Sequence, residues 1–216
     1  MSIKGVIFDL DGVIVSTDEY HYRAWKTMAD EEGIYFDREI NERLRGVSRM
    51  ESLEIILEKA NRKYSKEEKV SLAERKNLLY RKLLDELTPN DLLLGVMDTL
   101  ETLKKNNIKI AIGSSSKNTV YILKKIGLGN YFDAIADGTQ ITNSKPDPEV
   151  FLLAAKKLDI EPKECLVVED ADAGVEAALA GNMKVLAVGY ASKNKNATLT
   201  MKDLQSFNYD KIKNLN

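Results

Sequence analysis

The sequence predicts an α/β protein, a doubly wound parallel sheet with a small helical cap inserted after the first strand. Three observations predict it. Short apolar runs at residues 5–10, 109–113, 165–168 and 184–188 are near-continuous rather than alternating, as in strands covered on both faces. Helical patterns separate the last three runs, the alternation that builds a parallel sheet. Residues 17–87 carry helical patterns and no convincing strand. The division expected is a core of residues 1–16 and 88–216 and a cap of residues 17–87.

Each element has its own warrant. The first run ends in the polar turn Asp9-Leu10-Asp11-Gly12. Within the insert, Ser48-Arg-Met-Glu51 and Ser65-Lys-Glu-Glu68 both fit a capping box, in which serine and glutamate side chains each satisfy an orphan backbone amide. Leu53, Ile56, Leu57 and Ala60 then recur at helical spacing. An insert at this point overhangs the carboxyl end of the first strand, where open α/β sheets hold ligands. After the second run, a helix is expected over 117–126, with Val120, Leu123 and Ile126 on one stripe and Gly127 as its stop. Asp147-Pro148 reads as N-cap and first residue of a helix running to Leu158. A further helix, Asp172–Ala180, ends at Gly181.

Composition narrows the class. The chain has 216 residues, 44% hydrophobic and 31% charged, enough apolar material for a sizeable core. The formal net charge of −2 points away from a nucleic-acid partner. The single cysteine, Cys165, excludes an intramolecular disulfide and fits a cytoplasmic protein. No apolar run approaches the roughly 20 residues of a membrane span, and no secretory leader is visible. A monomer acting on small molecules is expected.

The chemistry gathers at strand ends. The first strand delivers Asp9 and Asp11, the second Ser114-Ser-Ser-Lys117, and the third core strand Glu169-Asp170; a loop carries Lys145-Pro146-Asp147-Pro148. Taken singly, each has a plain structural reading: a turn, a helix cap, a solvated lysine. Converging at one sheet edge, they place four carboxylates beside a lysine. Clustered carboxylates repel and are costly to desolvate unless a cation joins them. Hard oxygen ligands with room for water and phosphate suit Mg²⁺, one ion per site. A carboxylate attacking a phosphoryl group needs that charge neutralised, and Lys145 supplies part of it. Asp9 can become an acyl phosphate, and Asp11, two residues on, can move the proton.

These motifs resemble those of the haloacid dehalogenase superfamily of phosphotransferases over nearly the whole chain. The stretches that carry the resemblance are Phe8-Asp-Leu-Asp-Gly-Val13, Glu19-Tyr-His-Tyr-Arg-Ala-Trp25, Arg45-Gly-Val-Ser-Arg49, Arg75-Lys-Asn77, Ser114-Ser-Ser-Lys-Asn118 and Tyr131-Phe-Asp-Ala-Ile-Ala-Asp137, with Lys145-Pro and Glu169-Asp170. It implies a Rossmann-like core. Within the superfamily the cap stretches are similar to the branch that moves phosphate between C1 and C6 of β-glucose through a bisphosphate. A sugar-phosphate phosphatase on the same fold is the alternative. The resemblance implies that Asp9 is nucleophile and metal ligand. Asp11 is implied as acid/base, lending its carbonyl to the metal, with Glu169 and Asp170 as further metal-site acids. Ser114 and Lys145 hold the transferring phosphoryl group. Arg49 with Ser116, Lys117 and Asn118 forms a site for the second phosphate. Thr17 is a cap hinge, and His21 and Lys76 are a cap pair that responds to substrate. Gly46, Val47, Ser48 and Ser52 complete the substrate-binding set. Trp25 is read either as cap core or as a substrate wall. Two positions depart from the pattern: Ser16 stands where relatives often have Asp, and Ala171 where they often have Ser.

Overall fold

Covered on both faces by helices, the first apolar run becomes the central strand of a six-stranded sheet. The structure, a computed structural model, describes every residue except Met1, Gly46, Asn214 and Asn216. In chain order the strands are β1 (Gly5–Phe8), β2 (Lys109–Gly113), β3 (Ala134–Ala136), β4 (Cys165–Glu169), β5 (Lys184–Ala187) and β6 (Leu199–Thr200). All neighbours are parallel, in the order β3-β2-β1-β4-β5-β6. The chain therefore leaves β1 to build one side of the sheet and returns across it to build the other. A crevice opens at such a switch, outside the carboxyl ends of the strands.

The period of two along each strand divides the core. Val6 and Phe8 face one layer with Ile110, Ile112, Leu166 and Val168. Helices α5 (Val96–Lys105) and α6 (Thr119–Lys125) close that layer with Leu100, Leu103, Ile122 and Leu123. Ile7 faces the opposite layer with Ala111, Val167 and Val185. There α7 (Glu149–Leu158) and α8 (Asp172–Ala180) supply Phe151, Ala154, Leu158 and Val175. A short α9 (Tyr209–Lys213) adds Ile212 to the first layer.

Between β1 and β2 lie α1 (Asp18–Glu31), α2 (Arg38–Glu42), α3 (Arg49–Leu57) and α4 (Lys66–Leu83), with no strand among the described residues of 17–87. They bury a cluster of their own: Trp25, Met28, Phe36, Leu53, Ile56 and Leu72. Both capping boxes form, Ser48 with Glu51 and Ser65 with Glu68. No helix among the described residues is long and apolar enough to cross a membrane.

Several boundaries differ from the expectation. β3 and β6 were not anticipated; with three and two residues, they are too short to carry a hydrophobic pattern. In α6 it is Ile122, not Val120, that joins Leu123 and Ile126 inside; Val120 is 56% exposed. The helix begins two residues later than expected, at Thr119, and its buried stripe runs through Thr119, Ile122 and Leu123. Pro148 is itself the cap of α7, and the Asp147 carboxylate accepts from the Glu149 amide at 2.9 Å. Gly127 does stop α6 with φ +80°, but past α8 the left-handed residue is Asn182, not Gly181.

The packing gives a direct check on the core. Leu100 is fully buried and Leu78 on α4 is 71% exposed. Leu100→Ala is expected to cost about 2–5 kcal/mol through lost burial and a residual cavity. Leu78→Ala is expected to stay within about 0.5 kcal/mol. Denaturant midpoints of the two variants measure the difference, and equal losses would overturn this assignment of the core.

Candidate active site

Strand register brings the acidic residues together before any side-chain preference acts. Phe8 pairs with Val168, so Asp9 and Glu169 leave adjacent strands side by side. The Asp9 amide bonds the Val168 carbonyl at 2.9 Å. Oxygens of Asp9, Glu169 and Asp170 lie within 4.8 Å of one another, and all three residues are buried. These three could hold a metal ion. Lys145, itself 3% exposed, reaches this group from the loop before α7. Its ammonium donates to Asp9 Oδ1 and, at 2.7 Å, to Glu169 Oε2.

The electrostatics follow from that crowding. Burial opposes the charge on Lys145, but the carboxylates of Asp9 and Glu169 outweigh it and hold its pKa above the ordinary lysine value. Burial pushes the Glu169 carboxyl up, against the pull of Lys145. Burial and then the charges of Glu169, Asp9 and Asp11 push Asp170 up as well. Glu169 Oε1 accepts the amides of Asp170 and Ala171, each at 3.1 Å. Among the described residues no lysine, arginine or amide is bonded to the Asp170 carboxylate. A cation would relieve this excess of negative charge, and the donor set is all hard oxygen.

Two glycines make the approach geometrically possible. Gly12, at φ +83°, lies so near Asp170 that a Cβ would fall 2.0 Å from its Oδ2. In α8 a Cβ on Gly174 would fall 2.0 Å from Glu169 Cδ. The expected site set omitted Gly174. Its only signal in the sequence is a glycine inside a helical pattern, which normally costs stability.

Asp11 sits in a separate network reaching up into 17–87. Thr17 donates its amide to Asp11 Oδ1 at 2.7 Å and its hydroxyl to Oδ2. Tyr80 Oη lies 2.8 Å from that hydroxyl. With the Thr17 proton given to Asp11, Tyr80 is the donor. His21 Nε2 is 3.8 Å from Asp11 Oδ2, and its Nδ1 is 2.8 Å from Lys76 Nζ. The Asp11 side chain keeps 31% exposure. Its pKa is pushed up to about 7, by burial first and the Asp18 charge next, against the hydrogen bonds from Thr17. Tyr80 and Asp18 were not anticipated. A tyrosine at helical spacing from Lys76 gives no sign that its hydroxyl meets the chain 63 residues earlier.

Two cations of residues 17–87 stand near this network, Lys76 buried and Arg49 half-buried. Lys76 is 2% exposed, with its ammonium 4.6 Å from the Trp25 ring and 4.5 Å from the Tyr80 ring. Burial, then the Arg49 charge, drives its pKa well down. Burial and the charges of Lys76 and Arg49 keep His21 neutral over the ordinary range. Burial also lowers Arg49, which makes no ion pair among the described residues. Trp25, 2% exposed, is packed in the apolar cluster of residues 17–87, where Lys76 covers its ring.

The remaining expected residues are distributed as follows. Ser114 is buried at the end of β2, its hydroxyl accepting the Ser116 amide at 3.2 Å. Ser116 Oγ accepts the Asn118 amide at 3.2 Å. Asn118 is buried and donates its side-chain amide to Asn77 on α4 at 3.0 Å. Lys117 is exposed. Ser48 caps α3, Ser52 is buried on α3, and Val47 is half-buried. Gly46 lies outside the described residues. Between the expected serines, the Ser115 hydroxyl is buried without a hydrogen-bond partner among the described residues. Of the two departures, Ser16 is exposed, and Ala171 leaves α8 with no side-chain cap.

Comparison with known proteins places this geometry. The profile of the haloacid dehalogenase-like hydrolases matches residues 3–182. The chain is similar to a β-phosphoglucomutase of Bacillus subtilis (strain 168), 46% identical over 202 residues, covering 93% of this chain and 89% of the relative. It is 35% identical over 179 residues to a phosphorylated carbohydrates phosphatase of Thermotoga maritima, covering 82% of this chain and 80% of that one. The crystal structure of β-phosphoglucomutase from Clostridium difficile superposes with a TM-score of 0.92 at 46% identity, covering 97% of this chain and 95% of that one.

Two outcomes are expected from this site. Gly174→Ala should improve helix propensity yet displace Glu169, lowering divalent-cation affinity by about 10–100-fold, the range typical of disturbed metal surroundings. Calorimetric titration with Mg²⁺ measures it, and an unchanged affinity would remove Glu169 from the cation site. Thr17→Val should raise the Asp11 pKa, because a donor to the charged carboxylate is lost. A hydrogen bond to a charged group is worth about 1.5–3 kcal/mol, so the shift should be about one to two pH units. The pH profile of kcat/KM reads it, and a limb that stays in place would mean that Asp11 is not the titrating group.

Proposed function

The chain belongs to the haloacid dehalogenase-like hydrolase family, and from that premise we propose that it interconverts β-D-glucose 1-phosphate and D-glucose 6-phosphate through β-glucose 1,6-bisphosphate and a phosphorylated Asp9. The observation that carries this reading is a basic group near Asp11 with no ion pair among the described residues: buried Lys76, bonded to His21, and half-buried Arg49. A phosphate that is not reacting would satisfy them while another meets Asp9. A substrate with a phosphate at each end fits that arrangement, and the 46% identity over 93% of the chain supports it. Hydrolysis of sugar phosphates is the second reading, favoured by the phosphatase relative at 35% identity.

The chemistry assigned to each residue follows from its surroundings. Asp9 Oδ attacks phosphorus, the bond to the sugar oxygen breaks, and an acyl phosphate forms. Asp11 gives its proton to the departing oxygen. In the reverse sense the other sugar hydroxyl attacks the acyl phosphate and Asp11 takes its proton. A carboxyl whose pKa is pushed up to about 7 populates both states near neutrality, as a group used as acid and then base requires. Lys145, locked between Asp9 and Glu169, sets an ammonium beside the attacking oxygen. Ser114 lies two residues past Ile112, the partner of Phe8, and so one residue beyond the level of Asp9 at the sheet edge. Mg²⁺, one per site, is the proposed ion; Asp9, Glu169 and Asp170, with the Asp11 carbonyl, would hold it. When bound it supplies positive charge to the phosphoryl oxygens.

Residues 17–87 are read as a cap pivoting near Thr17, on a core of 1–16 and 88–216. Their separate apolar cluster supports that division. The cap's service is to keep water from the acyl phosphate and the bisphosphate near it. A cytoplasmic monomer completes the proposal; the single cysteine, buried and free, fits a reducing compartment.

Incubation with β-glucose 1-phosphate, Mg²⁺ and a trace of bisphosphate tests the reading. Glucose 6-phosphate is the expected product, and free phosphate alone would make the chain a phosphatase. Arg49→Ala should lower mutase turnover by about 10–100-fold, the loss of a charge-assisted pair worth about 1.5–3 kcal/mol. It should leave phosphorylation of Asp9 by acetyl phosphate nearly intact, since that donor has no distal phosphate. Equal effects on both would place Arg49 outside the distal site.

A further inference from the structure

Arg45 joins the two halves of the proposed enzyme in a way that the chemistry above does not use. It lies between α2 and α3, ahead of Val47, Ser48 and Arg49. Its NH1 bonds the Asp18 carboxylate at 2.6 Å, and its Nε and NH2 bond Glu42 at 2.8 and 3.4 Å. Both acids belong to residues 17–87, and Asp18 directly follows Thr17. With its donors held by these two carboxylates, the guanidinium has its flat face left to offer. That face stands 3.8 Å from the centroid of the Tyr190 ring.

Tyr190 belongs to the other half. It sits on the 3₁₀ turn Gly189–Lys193 that follows β5. The turn is tied to the acidic cluster by backbone: the Val188 amide bonds the Glu169 carbonyl at 2.8 Å, and the Ala191 amide bonds the Asp170 carbonyl at 2.9 Å. Tyr190 is 64% exposed, while the Arg45 side chain is 17% exposed. A large ring thus stands out from the core beside the carboxylates, and a preorganised cap arginine lies on it.

The sheet order says where this contact acts. The Asn77–Asn118 bond joins cap to core beside β2, on one side of β1. Tyr190 follows β5, on the other side of β1. The two contacts straddle Asp9. Resting on the reading of residues 17–87 as a cap, we propose that the Arg45–Tyr190 stack is the clasp that holds the cap shut on the β5 side and so keeps water from phosphorylated Asp9. Arg45 and Tyr190 are positioning residues: neither touches the reacting atoms. The clasp fixes the chain four residues before Arg49.

The test compares wild type, Tyr190→Ala and Tyr190→Phe, all exposed-site changes compatible with folding. Each is given β-glucose 1-phosphate, Mg²⁺ and a trace of bisphosphate, and glucose 6-phosphate and free phosphate are measured. Hydrogen exchange over residues 43–49 is followed in the same mixtures. A cation–aromatic contact of this kind shifts an equilibrium by roughly 2- to 30-fold. Tyr190→Ala is therefore expected to raise the share of free phosphate by that factor and to speed exchange. Tyr190→Phe, which keeps the ring, should match wild type. An unchanged ratio in Tyr190→Ala overturns the clasp, and so does Tyr190→Phe behaving like Tyr190→Ala. If wild type releases only free phosphate, the mutase reading falls while the exchange comparison still decides the clasp.

Discussion

Three buried carboxylates share one ammonium, and the rest of the molecule is arranged around that imbalance. Asp9, Glu169 and Asp170 meet at the carboxyl edge of β1 and β4, and Lys145 reaches two of them. With all three ionised, two negative charges remain in excess. Burial of such a set is unfavourable unless cations complete it. A divalent cation matches the excess, and the raised pKa values of Glu169 and Asp170 are the same imbalance seen without it. The local backbone serves this crowding. Gly12 and Gly174 leave space where any side chain would overlap a carboxylate.

The opposite imbalance stands across the gap. Residues 17–87 present Lys76 and His21, with pKa values lowered by burial and by neighbouring positive charge, and Arg49, lowered by burial. Acid crowding at the sheet edge thus faces basic side chains from residues 17–87. Asp11 lies between them, bonded to Thr17 and near His21, so its protonation depends on both halves. Its Coulombic coupling to Asp18 ties it also to the carboxylate that Arg45 holds. On the proposed reading, proton transfer at Asp11 and closure of the cap would be coupled through these short contacts on one turn of chain. No long-range pathway is needed for this.

Much of the fold and the site was legible in the sequence, for identifiable reasons. Buried parallel strands are unbroken apolar runs, so β1, β2, β4 and β5 stood out. The capping boxes at Ser48 and Ser65 are local patterns, and both formed. Asp9, Asp11, Ser114, Glu169 and Asp170 were legible because their positions are fixed relative to strand ends, and parallel strands align those ends; Lys145 comes from the loop before α7 and was legible from its Lys-Pro motif. β3 and β6 were not legible, since two or three residues hold no period. The inward face of α6 was not legible, because this short helix carries apolar residues on both faces, Val120 outside and Ile122 inside.

The sequence alone therefore determined the α/β class, the place of the insert and the acidic and basic groups of the site, since these depend on local pattern and on order along the chain. Tertiary structure alone decided which lone pairs are free, which cations lack partners and which glycines make room. It put Tyr80 against Thr17, Asn77 against Asn118, and Arg45 on Tyr190. These contacts join residues 41 to 145 positions apart, set by how the helices of 17–87 lie over the sheet. Periodicity and capping act within a few residues, so they carry no information at that range. Contacts between elements are fixed by the packing of whole faces, and only the folded chain shows them.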